Sequence, residues 1–99
     1  MSYTNGLDNP ELYFQTKLFT GNASTQSITL DGSENMQPDW VWLKNRSTTQ
    51  DHELYDSVRG VTKALHSNAT DDESTYANGL TAFGTDGFTV GDRGNINGN

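Results

Sequence analysis

Apolar residues in this chain recur at every second position in short runs, and Gly, Asn, Asp and Ser separate the runs. That period matches a strand, whose successive side chains point to opposite faces. The strongest run is 38–46, PDWVWLKNR, which places Trp40 and Trp42 on one face and Val41 and Leu43 on the other. A helix would scatter these four side chains, and the run is short for a helix. With both faces apolar, the pattern predicts an interior strand covered on two sides. The alternative is an edge strand with one tryptophan exposed. Pro38 suits the start of such a strand, where its missing N–H removes no ladder bond.

The other runs follow the same rhythm. In residues 12–20, Leu12, Phe14 and Leu18 fall on one face and Tyr13, Gln15, Lys17 and Phe19 on the other, which predicts a strand. Gly21 and Asn22 signal a turn, and 24–30 alternates again with Ile28 and Leu30 inward, so the two runs read as a hairpin. In 52–59, Leu54 and Val58 share a face with Asp56 between them, while Tyr55 and Arg59 point the other way. Gly60 supports a bend, and 61–67 is a further candidate strand. The one candidate helix covers 71–78, where Thr70 and Glu73 have capping-box spacing and Gly79 suits a C-terminus. A polar loop is the other reading of that stretch. Residues 80–83 and 87–91 flank Thr85, Asp86 and Gly87 as a second hairpin. Residues 1–9 read as an N-terminal arm, 10–91 as the folded domain, and 92–99, rich in Gly and Asn with an isolated Ile96, as a flexible tail. Six or seven short strands and at most one short helix predict an all-β, antiparallel β-sandwich or jelly roll.

Composition narrows the classes. The 99 residues suffice for one domain. Eight Leu, two Ile, four Val and four Phe leave little apolar mass for a core, near the level at which chains stay disordered. Aromatic content of 10% acts against this, because each ring buries a large area. The balance predicts a chain that folds and gains from a partner. A formal charge of −7 supplies no basic stripe for phosphates and argues against a nucleic-acid surface. It also disfavours an anionic membrane surface, and no run is long enough to cross a bilayer. The absence of cysteine excludes disulfides and thiolate metal sites.

Candidate chemistry is sparse. His52 sits between Asp51 and Glu53, His66 is isolated, and no serine lies in an elbow motif, so catalysis is not expected. Asp71, Asp72 and Glu73 are adjacent and read as a solvated loop rather than an acid/base pair. Together with Asp86 they are oxygen ligands of the type calcium takes, yet none has the spacing of a calcium loop. No cofactor or metal is expected. Asp56, flanked by apolar positions, needs a partner if buried. With Arg59 it predicts a structural ion pair that fixes the bend, or a contact with a neighbouring subunit. Carbohydrate recognition needs exposed rings with amide or carboxylate partners. Trp40, Trp42, Tyr55 and Tyr76 are the candidate rings, with Asn45 and Asp39 nearby, and core packing is the competing role for the tryptophans.

Four blocks in order resemble a known family. They are 13–21 (YFQTKLFTG), 36–46 (MQPDWVWLKNR), 54–60 (LYDSVRG) and 86–91 (DGFTVG). The series resembles an unassigned domain of tail-fibre and other virion structural proteins of tailed bacteriophages, over about 8–94. The resemblance implies a concanavalin-like jelly roll and a non-enzymatic structural part of a tail or fibre, adhesive to host-surface glycans. Its partners would be other virion proteins and further copies of itself, a trimer being favoured, and its location the virion. A capsid head-decoration protein is the alternative, and a glycan-degrading tail enzyme the third class. The family's closing strand beyond the Gly/Asn-rich stretch has no counterpart here. Either the sequence is part of a longer protein or another chain completes the sheet edge.

Overall fold

The computed structural model describes residues 10–98. It is all-β: seven strands in antiparallel ladders form a small sandwich, with one 3-10 turn at Pro10–Leu12 and one helical turn near the end. Strands β1 (Gln26–Thr29), β7 (Gly87–Val90) and β6 (Leu80–Gly84) make one sheet in that order. Strand β2 (Trp40–Leu43) pairs β3 (Glu53–Asp56), and β4 (Lys63–Ala64) pairs β5 (Ser74–Thr75). A bridge between Leu54 and Leu65 joins these two ladders.

The β6–β7 hairpin forms where the sequence places it, with Thr85 and Asp86 as a two-residue loop between Gly84 and Gly87. Gly87 has φ 148°, and a Cβ there would meet the Ile28 carbonyl oxygen, so the close approach of β1 requires glycine. Inward positions of both sheets meet in one core: Ile28, Phe88, Val90 and Leu80 from the first, Val41, Leu43, Tyr55 and Ala64 from the second. Each fully buried aliphatic side chain contributes about 1.5–3 kcal/mol. Phe19 closes one side, edge-on to Phe88 with ring centroids 6.4 Å apart.

Several expectations are overturned. Residues 14–20 form no strand, and β1 pairs β7 instead of them. The local β6–β7 hairpin offers β1 a ready ladder, so 14–20 is held by side chains. Gln15 donates to the Glu11 and Glu34 carbonyls and accepts from the Gly32 N–H, while Lys17 reaches Asp31 at 2.9 Å. In β3 the inward residues are Glu53 and Tyr55; Val58 is exposed because the chain turns after Asp56 and the period of two stops there. Residues 71–78 hold no helix. An eight-residue helix has little stability of its own, and Ser74–Thr75 gains a ladder with β4 instead. Nor is 92–99 without core residues: Gly94–Asn97 forms the helical turn α1, which buries Ile96 and Asn97. The expected arm at 1–9 lies outside the described residues.

Candidate binding site

Strand β2 alternates as expected, but only one face is covered. Val41 and Leu43 are buried at 6% and 5% exposure, while Trp40 and Trp42 stand 54% and 52% exposed. The interior strand with two covered faces is therefore corrected to an edge strand, and both indoles, not one, reach solvent. Two things differ from the expectation: the tryptophan face stays open to solvent, and β3 pairs one edge of β2 while among the described residues no strand pairs the other.

The two indoles lie with centroids 6.0 Å apart, and the His52 ring follows 5.7 Å from Trp42. Trp42 Nε1–H donates to His52 Nδ1 at 2.9 Å. His52 thus accepts at Nδ1, and in a neutral imidazole the proton then sits on Nε2. Opposite β2, the segment 14–19 forms a second wall. Between them runs a groove of about 440 Å3, lined by Phe14, Phe19, Met36, Pro38 and all four residues of β2. Side chains from both faces of β2 line it, so the groove follows the open edge of the strand. Its charged lining among the described residues is Lys17 and Lys44, with no carboxylate. A second, more polar hollow of about 530 Å3 shares Trp42, Lys17 and Lys44 and extends to Asn45 and α1.

The sequence candidates divide. Trp40 and Trp42 come together on the groove. Asn45 lines only the polar hollow, and its side-chain oxygen accepts from the N–H groups of Ser47 and Thr48, capping that turn. Tyr55 is fully buried and is corrected from ligand platform to core residue; its hydroxyl donates to Glu53 Oε1 at 2.6 Å. Burial, then the Glu53 hydrogen bond and charge, push the Tyr55 phenol well above the usual tyrosine range. Tyr76 lies apart from the groove. It stacks on His66 at 6.0 Å and carries the Arg93 guanidinium 3.3 Å above its ring.

Asp56 and Arg59 meet at 2.8 Å, and the Arg59 N–H also donates to Asp56 Oδ1 at 2.7 Å, closing the turn before Gly60. Gly60 takes φ 94°, as the bend requires. The four candidate calcium ligands do not converge. Asp86 accepts from the Met36 N–H, Glu73 lies 3.8 Å from Arg59 Nε, and Asp71 meets His66 Nδ1 at 2.7 Å. Asp51, His66 and Asp71 are the grouped donors, with one ligand atom each within 4.8 Å of the others.

Sequence reasoning missed His52, Phe14 and Met36 as groove residues. Phe14 and Met36 are brought there by long-range packing that no local pattern encodes, and His52 by the β2–β3 pairing, which sets its ring beside Trp42. It also missed the pairing of the fully buried Glu53 with the partly buried Arg93, 2.7 Å apart.

The chain belongs to a family described as a domain of unknown function, DUF7483, whose model matches residues 9–99. Neither the comparison with curated proteins nor that with solved structures gives a match.

Proposed function

Starting from a family whose description assigns no activity, we propose that this domain is a non-enzymatic structural module of a bacteriophage virion. It is built into a tail or fibre assembly and holds its neighbours through the tryptophan-lined groove. The observation that carries this reading is the pair of half-exposed indoles on an unpaired edge strand. A small domain with few aliphatic residues leaves its two largest side chains in water, although they would strengthen a core. Contiguous exposed apolar surface of this kind marks an interaction site, and tryptophan is enriched where two proteins meet. The four sequence blocks that resemble virion domains supply the setting, and with it the expectation of copies in a symmetric oligomer, a trimer favoured.

Adhesion to host-surface glycans is the second reading, and one observation favours it. Trp42 borders both the apolar groove and the polar hollow that carries Asn45. A ring beside an amide is the combination a sugar face requires. A head-decoration role uses the same surface chemistry at another place on the particle.

The test is to locate the chain in purified virions by mass spectrometry and density mapping, with wild type beside a Trp40→Ser, Trp42→Ser double variant. The reading expects wild-type chain in tail or fibre density and a folded variant that fails to incorporate. Density on the capsid lattice favours decoration. Variant incorporation at wild-type level overturns the groove's role.

A further inference from the structure

The ladder between β2 and β3 fixes which backbone groups of β2 remain open. Ser57 N–H donates to the Asp39 carbonyl at 2.8 Å, so the Asp39–Ser57 pair is hydrogen-bonded. Bonded and non-bonded pairs alternate in an antiparallel ladder. With the register Trp40 to Asp56, the bonded pairs are then Val41–Tyr55 and Leu43–Glu53. The reciprocal bonds of Leu54 with Leu65, on the far side of β3, agree with this phase. Trp40 and Trp42 therefore direct their backbone N–H and C=O groups away from β3. They face the groove edge, where no described residue bonds them.

A groove along a strand edge with free donors and acceptors is complementary to another strand. We propose that this edge receives an extended segment of a partner chain, which adds to β2 by backbone pairing and lies between β2 and residues 14–19. The side chains of β2 specify the segment. Residues opposite Trp40 and Trp42 share their face and are apolar; residues opposite Val41 and Leu43 turn toward the core and are apolar too. Lys44 follows on the tryptophan face, is exposed, and has no carboxylate partner among the described residues. The groove lining holds no acid, although the chain as a whole carries −7. The segment accordingly carries Asp or Glu where it passes Lys44. Lys17, already paired with Asp31, contributes less. The second wall at 14–19 argues against rigid edge-to-edge pairing of two whole domains, since each copy's wall stands in the other's path. A single donated segment brings no second wall with it.

This deepens the structural-module reading and rests on it for the source of the segment. The test uses the full chain and a blocked peptide, Val-Ile-Val-Ile-Val flanked by Glu at both ends, with a Lys-flanked counterpart. The readout is residue-resolved amide exchange by NMR. The Glu-flanked peptide is expected to slow exchange at Trp40 and Trp42 by about tenfold or more and to bind several-fold more tightly than the Lys-flanked one. Lys44→Glu, an exposed substitution that leaves the core untouched, should reverse that order. Indole fluorescence changes without protection of the two amides would overturn strand addition. So would protection that rises with the concentration of the free chain, which assigns the edge to a second copy. Absence of the domain from virions would sink the structural-module reading while leaving the peptide result standing.

Discussion

The Glu53 carboxylate and the Arg93 guanidinium meet at 2.7 Å, although 40 residues separate them. Glu53 is fully buried in β3, and Arg93 leads into α1, so the pair ties the C-terminal turn to the second sheet. Tyr55 supplies a further donor to the same carboxylate, and Tyr76 lies under the guanidinium. Both charges thus have close partners, which burial demands.

Breaking that pair from one side should be severe. Glu53→Ala leaves a cation without its anion and should cost about 3–5 kcal/mol, against a total stability of about 5–15 kcal/mol for a chain of this length. Replacing both residues, Glu53→Leu with Arg93→Met, should recover most of that loss because no uncompensated charge remains. Urea midpoints of Glu53→Ala, of the single variants Glu53→Leu and Arg93→Met, and of the double variant check this. Additive losses would contradict it.

Alkali should unfold the protein through Tyr55. Its phenol titrates higher in the fold than the value near 10 of an exposed tyrosine, chiefly because burial opposes the phenolate. A raised pKa means that the folded state holds its proton more tightly. The associated stability is complete below about pH 10 and is lost as pH rises above it, where the unfolded chain deprotonates first. Thermal melts from pH 8 to 11.5 should fall at the upper end, and Tyr55→Phe should flatten that fall. Absorbance at 295 nm should show one tyrosine ionising only with unfolding.

Asn97 should be harder to replace by Asp than by Ala. Its amide donates to the Ser24 and Gly91 carbonyls at 2.6 and 2.7 Å, and its oxygen accepts from the Asn22 N–H at 3.2 Å. Ala leaves these groups unpaired at a cost of about 2–4 kcal/mol. Asp in addition sets acceptor against acceptor at two carbonyls, that of Gly91 buried and that of Ser24 partly so. The expected order of denaturation midpoints is wild type, then Ala, then Asp.

The Asp56–Arg59 turn should give a smaller effect. Both side chains are about a quarter exposed, so solvent screens the charge. Asp56→Ala should cost about 1–2 kcal/mol, mostly through the lost bond to the Arg59 N–H. Asp56→Asn, which keeps that acceptor, should recover about half. Chemical denaturation of both variants, repeated at high salt, separates the two contributions, since only the ionic part fades with salt.

The sequence by itself determined the class of this fold and its most local parts. Alternation of period two named strands at Ile28, Trp40–Leu43 and Tyr55, and the Thr85–Asp86 loop between strands fixed one hairpin. The Asp56–Arg59–Gly60 bend was legible too, because its partners lie within four residues. Only the tertiary structure decided which strands became neighbours and which faces were covered. Alternation says that Trp40 and Trp42 share a face, but whether water or a second layer meets it depends on where 14–20 and β1 find partners. Glu53 and Asn97 carry no local signal of burial, since a polar residue is buried only when distant chain supplies its hydrogen bonds. The groove is of the same kind: its walls are 20 to 30 residues apart in sequence, and long-range packing alone brings them face to face.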